Sequence, residues 1–188
     1  MRQVSVSILI SAPREQVYDF VADLSGRPAY TDHYLKDYRL ARANAYGKGA
    51  AARFLLDAPL GSERGEFSIK EAERPRRILE EGRIGRLGRS RLMALYEFIP
   101  ESGGTRVELT TLSDPATLID RMKQAGVHRW MGRQTKTALE RLRMIFEDPP
   151  EGQLARATVA GYDAYKSPRF GTAAGSDPSR PGQSPAGE

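Results

Sequence analysis

The chain predicts an α+β fold in which a curved antiparallel sheet of about seven strands wraps around one long C-terminal helix, with two short helices after the first strand. Three observations predict it. An alternating apolar segment at the N-terminus is followed at once by a helix-opening signal, six further short strand patterns lie between 35 and 112, and a helical stretch from 116 to 147 closes the periodic part.

Residues 3–10, QVSVSILI, alternate small polar and branched apolar side chains, so Val4, Val6, Ile8 and Ile10 share one face of a strand. Ser11 is then expected to cap a helix, with Pro13 in its first turn and Glu15 at the positive end of the helix dipole. Val17, Phe20, Val21 and Leu24 fall at helical spacing and form the inward stripe, and Ser25-Gly26 with Pro28 stops the segment.

Strands are expected at roughly 35–43, 50–57, 63–73, 77–84, 90–99 and 105–112. Gly47-Lys48-Gly49, Pro59-Leu60-Gly61, Arg74-Pro75, Gly85 to Gly88 and Ser102-Gly103-Gly104 separate most of them with the residues that reversals need. Six consecutive strands on short links make a meander. Alternation places Phe67 and Ile69, Ala94, Tyr96 and Phe98, and Val107, Leu109 and Thr111 on the concave face; Arg53, Arg91 and Glu97 face outward.

Asp114-Pro115 opens the final helix. A straight rod of thirty-odd residues reaches about 50 Å, so a break at Gly126 is expected. Beyond it, Val127, Met131, Gln134, Ala138, Leu142 and Ile145 form a stripe flanked by Trp130, Leu139 and Phe146. That stripe needs the concave face of the sheet, and curvature lifts the sheet from the helix, so an apolar pocket is the expected consequence.

The chain has 188 residues, with Lys+Arg 29 against Asp+Glu 24, no cysteine and two histidines. Disulfides, thiolate zinc sites and cysteine nucleophiles are thereby excluded. No apolar run approaches a membrane span or a signal peptide, so a cytoplasmic location is expected. From Pro149-Pro150 onward large aliphatics thin out and Gly, Ser, Pro and Ala dominate, so residues 148–188 read as a partly disordered tail on a domain of residues 1–147. From Asp148 the tail holds four basic and five acidic residues, so it is net −1 and the body carries +6 within a total of +5. Within the tail, Leu154 to Phe170 keeps Val159, Tyr162, Tyr165 and Phe170 and could dock on the body.

This element order resembles the START-like, Bet v 1-like (SRPBCC) superfamily, particularly its polyketide cyclase/dehydrase and lipid-transport branch. The resemblance covers residues 3 to about 147. It is carried by the first strand with Ser11-Ala12-Pro13, the helix Val17-Tyr18-Asp19-Phe20-Val21-Ala22-Asp23, Pro28 with Tyr30, Gly49 before a strand, and Gly104-Thr105-Arg106-Val107 opening the last strand. It implies a helix-grip fold with an internal cavity. Chemistry is left open, because carriers, receptors, cyclases and hydroxylase subunits share the fold. The iron–sulfur hydroxylases of the superfamily need Cys and His ligands that this chain lacks.

His33 stands in PAYTDHYLKDY beside Asp32, and with Tyr96 these are the candidate proton carriers. His128 adjoins the stripe of the last helix and reads as a surface residue. The two histidines stand too far apart in the chain for a persuasive metal site, and neither a metal nor a cofactor is expected. Phe54, Phe67, Ile69, Tyr96, Phe98, Trp130 and Met131 are the candidate ligand-lining residues. The segment 73–91 is rich in arginine, its first part interleaved with Glu71, Glu73, Glu80 and Glu81 as a solvated hairpin. Arg83, Arg86 and Arg89, with Ile84 and Leu87 exposed at the tip, offer contact to an acidic surface. No groove-reading motif accompanies them, so a nucleic-acid partner is not expected.

The leading expectation is therefore binding or carriage of a hydrophobic small molecule, lipid, aromatic or polyketide-like, between sheet and helix. A cyclase or dehydratase using the same cavity is the enzymatic alternative, and a docking module for a partner or anionic membrane the third. Neither ligand identity nor oligomeric state is encoded in these patterns.

Overall fold

The computed structural model describes residues 2–59, 61–85, 88–114 and 118–159, with side chains from residue 3 and, in the last helix, from residue 129. Strand β1 (Arg2–Ile10) leads into α1 (Arg14–Ala22), a 3-10 turn (Leu24–Gly26) and α2 (Pro28–Thr31). Six strands follow: β2 (Leu35–Leu40), β3 (Ala51–Ala58), β4 (Gly61–Glu73), β5 (Arg77–Ile84), β6 (Ser90–Glu101) and β7 (Gly104–Asp114). Helix α3 (Leu118–Glu147) closes the fold. All seven strands form one antiparallel sheet in the order β1-β7-β6-β5-β4-β3-β2, so the helix-grip α+β architecture is the observed one.

The period-two patterns place side chains as expected. Val4, Val6 and Ile8 are half-buried and Ile10 fully buried, while Gln3, Ser5, Ser7 and Leu9 face solvent. Phe67, Ile69, Tyr96, Phe98, Val107 and Leu109 are all buried on the inner face. Arg53, Arg91 and Glu97 are exposed.

Two glycines admit close contacts between neighbouring strands. The Phe54 ring lies over Gly65, its opposite neighbour in the ladder, where a Cβ would come within 2.5 Å of the ring. At Gly82 a Cβ would stand 2.2 Å from the Glu66 carbonyl oxygen and 2.7 Å from Phe67 Cβ. Only a residue without a side chain leaves room for the Phe54 ring at Gly65 and for the β4 backbone at Gly82.

Three expectations are corrected. Ser11 does not cap α1: Pro13 occupies the cap position with no side-chain bond, and the Ser11 N–H donates instead to Glu147 Oε1 at 2.9 Å. A tight turn, Ala12 N–H to Ile10 O at 2.8 Å, delays the start of the helix and frees Ser11 to tie the end of α3 to the end of β1. Second, α3 is continuous through Gly126; a single helical glycine costs only about 1 kcal/mol relative to alanine, too little to break thirty residues. Third, Ile84 at the β5–β6 tip is buried, at 8% exposure, because its position in the alternation of β5 points it inward.

Helix α3 lies over β1 and α2, while α1 packs on β6 and β7 through the edge-on contact of Tyr18 with Phe98 at 5.2 Å. The buried stripe of α3 is Thr135, Ala138, Leu139 and Leu142, with Trp130, Met131, Gln134, Ile145 and Phe146 half-buried beside it.

Past Glu147 the chain returns to the body. The Ala157 N–H donates to Ser25 O and the Leu40 N–H to Thr158 O, both at 2.8 Å, and Val159 forms a parallel bridge with Leu40. Arg156 adds a 2.7 Å bond to Asp23 Oδ2. The other expected docking residues of the tail, Tyr162, Tyr165 and Phe170, lie outside the described residues, as do Arg86, Leu87, Pro115 and the side chain of His128.

Candidate functional site

The inner face of the sheet carries a polar centre in an otherwise apolar layer. Arg27 sits just past the 3-10 turn, and each neighbour of that turn is held locally. The Asp23 carboxylate accepts from the Ser25 N–H at 2.9 Å, Pro28 supplies a preset first residue for α2, and the Thr31 hydroxyl donates back to Arg27 O at 2.9 Å. The guanidinium is thereby aimed at the sheet. There its Nη2 pairs with Glu80 Oε1 of β5, and its Nη1 donates to the Tyr96 hydroxyl of β6 at 2.8 Å.

Arg27 and Glu80 are each 4% exposed. Three rings enclose the guanidinium, with Tyr96 at 5.1 Å, Phe67 at 5.5 Å and Tyr30 at 5.6 Å from its carbon. Burial opposes the charge on Arg27, but the Glu80 carboxylate beside it favours the charged form, and the guanidinium stays protonated. Burial pushes the phenols of Tyr30, Tyr38 and Tyr96 well above their ordinary range, with Arg27 pulling the other way, and Tyr34 up to about 12. All four are neutral phenols near neutral pH.

The centre is not saturated by its own hydrogen bonds. Arg27 Nε and Tyr38 Oη are buried without a protein partner, and Tyr30 Oη lies near Tyr96 without good hydrogen-bond geometry. Buried donors are rarely left so.

Of the expected site residues, Tyr96, Phe67 and Phe98 are brought together: Phe67 is stacked against Arg27, and the Tyr96 and Phe98 rings lie nearly parallel at 6.5 Å. Phe54 joins them through Phe67 at 5.9 Å, and Ile69 is buried in the same layer. Trp130 meets Tyr34 edge-on at 6.4 Å, and Met131 packs against the same core.

His33 and Asp32 have partners on α3 instead. His33 Nε2 donates to Gln134 O at 3.1 Å, and Asp32 is ion-paired with Arg141. Burial, set against the Gln134 carbonyl, holds the imidazole below its ordinary pKa.

Arg27 and Glu80 were not among the expected site residues, and Glu80 corrects the picture of a solvated hairpin. Glu71 and Glu73 do face solvent, paired with Arg77. Glu80 shares the parity of Ile78 and Ile84, both buried, and so must point inward. That parity was the available signal. For Arg27 no periodic signal exists, because it lies in a turn.

On the opposite, outer face runs a ladder of charges. Arg39 stands directly across from Arg53, Arg53 from Glu66, Glu66 from Arg83, and Arg83 from Arg91. Arg53 and Glu66 pair at 3.6 Å. A groove of about 820 Å³ lies along this row between Arg39, Arg53, Arg64 and Arg83, and a second of about 570 Å³ lies beside it. Among the described residues no helix is long and apolar enough to cross a membrane, and no three His, Asp or Glu side chains group as metal ligands.

A curved sheet gripping a long helix over a buried polar centre defines a helix-grip protein of the START-like, Bet v 1-like class. Residues 1–147 match the family described as polyketide cyclase/dehydrase and lipid transport, and the chain belongs to that family. Solved structures repeat the fold. TTHA0849 from Thermus thermophilus is 22% identical with a TM-score of 0.59, over 76% of this chain and 94% of that one. The KanY protein is 17% identical with a TM-score of 0.63, over 78% and 97%. DynU16, a protein of the dynemicin biosynthetic locus, is 15% identical with a TM-score of 0.56, over 82% of this chain and 49% of its own. No curated protein matches the chain.

Proposed function

We propose that this protein binds and carries a hydrophobic small molecule, lipid, aromatic or polyketide-like, between the concave face of its sheet and α3. The supporting observation is a layer of buried aromatic and aliphatic side chains that holds an incompletely bonded polar centre at Arg27. A core built only for stability has no use for unpaired buried donors, whereas a binding site uses a few polar groups to orient an apolar guest. Phe54, Phe67, Ile69, Tyr96 and Phe98 line it from the sheet, and Trp130 and Met131 from α3. The domain responsible is residues 1–147, strapped by the segment that follows.

Trp130 is the single tryptophan of the chain and serves as the reporter. Titration with naphthalene-type probes is expected to quench it saturably, and native mass spectrometry to retain a bound apolar molecule. No saturable quenching together with no retained mass overturns the reading.

The enzymatic alternative, a cyclase or dehydratase moving protons through Tyr96, His33 and Asp32, has less behind it. His33 and Asp32 are engaged with α3.

A second reading, contact with an acidic surface, is favoured by one observation. Like charges directly opposite on adjacent strands destabilise a sheet, yet this chain sets Arg39 against Arg53 and Arg83 against Arg91, with Arg39, Arg83 and Arg91 lacking ion-pair partners among the described residues. Arg89, exposed beside them, extends the patch. Cosedimentation with phosphatidylglycerol vesicles at low salt is expected and should be lost on R83E/R91E; equal recovery with neutral vesicles rejects it.

A further inference from the structure

The chemistry of the unpaired groups restricts what the interior site accepts, given that the site binds a small molecule as proposed above. Arg27 Nε can only donate a hydrogen bond, and the hydroxyls of Tyr38 and Tyr30 each carry a proton to give. Tyr38 lies 6.3 Å, ring to ring, from Phe67, whose ring centre is 5.5 Å from the Arg27 guanidinium carbon, so these donors belong to one buried layer of the inner face. The complementary ligand atom is therefore an acceptor.

Charge selects among acceptors. The guanidinium of Arg27 is already neutralised by the carboxylate of Glu80, to which it is bonded through Nη2, with Nη1 facing the second carboxylate oxygen at 3.4 Å. The neighbouring tyrosines contribute no charge. A ligand carboxylate would add an uncompensated negative charge to a buried apolar layer, which is costly even where donors are present. A carbonyl oxygen accepts two hydrogen bonds and brings no net charge. Phe67, Tyr96 and Tyr30 around the guanidinium offer flat faces to a conjugated group attached to that carbonyl.

We infer that the interior site selects an uncharged apolar ligand by a carbonyl oxygen, held by the Nε–H of Arg27 and the hydroxyl of Tyr38, and discriminates against the corresponding free acid. The ligand class is an aromatic or acyl ketone or ester. Glu80 acts as a positioning residue that supplies charge balance.

Three probes of one shape test this by quenching of Trp130: 2-acetylnaphthalene, 2-ethylnaphthalene and 2-naphthoate. The ketone is expected to bind about tenfold more tightly than either of the others, the size of one good buried hydrogen bond. Y38F removes an unpaired hydroxyl and leaves the fold intact; it should weaken the ketone several-fold and leave 2-ethylnaphthalene unchanged. The carbonyl stretch of the bound ketone should shift to lower frequency in the native protein and less so in Y38F. Equal affinity for ketone and hydrocarbon, or tightest binding of the carboxylate, overturns the carbonyl preference while leaving small-molecule binding in place. Saturable binding of none of the three overturns the carbonyl preference, and when native mass spectrometry also retains no apolar molecule it overturns small-molecule binding as well.

Discussion

Arg27 and Glu80, 53 residues apart, meet inside the protein as an ion pair that joins the turn between α1 and α2 to strand β5. Tyr96 completes the link from β6 by accepting from the same guanidinium. The helical crossover that carries the chain from one sheet edge, β1, to the other, β2, is thus pinned at its midpoint to the centre of the sheet.

Removing one member of that pair should be far worse than removing both. E80L leaves a buried guanidinium without its counter-charge and is expected to cost about 3–5 kcal/mol. The double variant R27M/E80L replaces both charges with apolar volume and should recover most of that loss. Urea unfolding midpoints of the two variants decide it, and wild-type stability for E80L alone would mean that the pair is not buried in solution.

The imidazole of His33, in the turn after α2, makes a pH-dependent contact with α3. Its folded pKa is depressed below the ordinary 6.5, so the unfolded chain takes up the proton first as pH falls. Its contribution to stability is complete above about 6.5 and declines as the pH drops toward the folded value. The fall in urea midpoint between about pH 7.5 and about pH 5 should be smaller in H33Q than in the native protein. An identical fall in both assigns the dependence to other groups.

Gly82 should tolerate no side chain. A Cβ there would overlap the Glu66 carbonyl and Phe67 Cβ, both parts of β4 that cannot yield without moving the strand. G82A is expected to lose about 1–3 kcal/mol, read as a lowered thermal midpoint. An unchanged midpoint would show that β4 can shift at this point.

The segment after α3 should protect the turn that carries Arg27. Truncation after Pro150 removes the bonds from Ala157 to Ser25 and between Leu40 and Thr158, together with the Arg156–Asp23 pair. Amide exchange at Leu40 should accelerate, and backbone bonds of this kind contribute about 1 kcal/mol each. Unaltered exchange at Leu40 would place the strap's docking in doubt.

The fold was largely legible, because strands and helices announce themselves through local periodicity. Val4 to Ile10 alternated as a half-buried strand must, and Val107 with Leu109 showed the inner face of β7. Elements fail to announce themselves where structure depends on what they meet. Ser11 had the chemistry of a cap but found Glu147 at the far end of α3, and Gly126 carried a helix breaker's identity in a helix long enough to ignore it. The aromatic half of the candidate site was visible as inward-facing Phe67, Tyr96 and Phe98. Its charged half was not, since Glu80 looked like one more acid in a salt-laced hairpin unless read by parity with Ile78 and Ile84.

By itself, the sequence determined which segments become strand or helix and which face of each strand is apolar, because those properties depend on neighbours two to four residues away. Only the tertiary structure decided that Arg27 lies beneath Glu80 and Tyr96, and that its Nε and the Tyr38 hydroxyl are left unpaired. Such pairings depend on how a helical crossover spans the sheet, a distance in space for which spacing along the chain carries no measure.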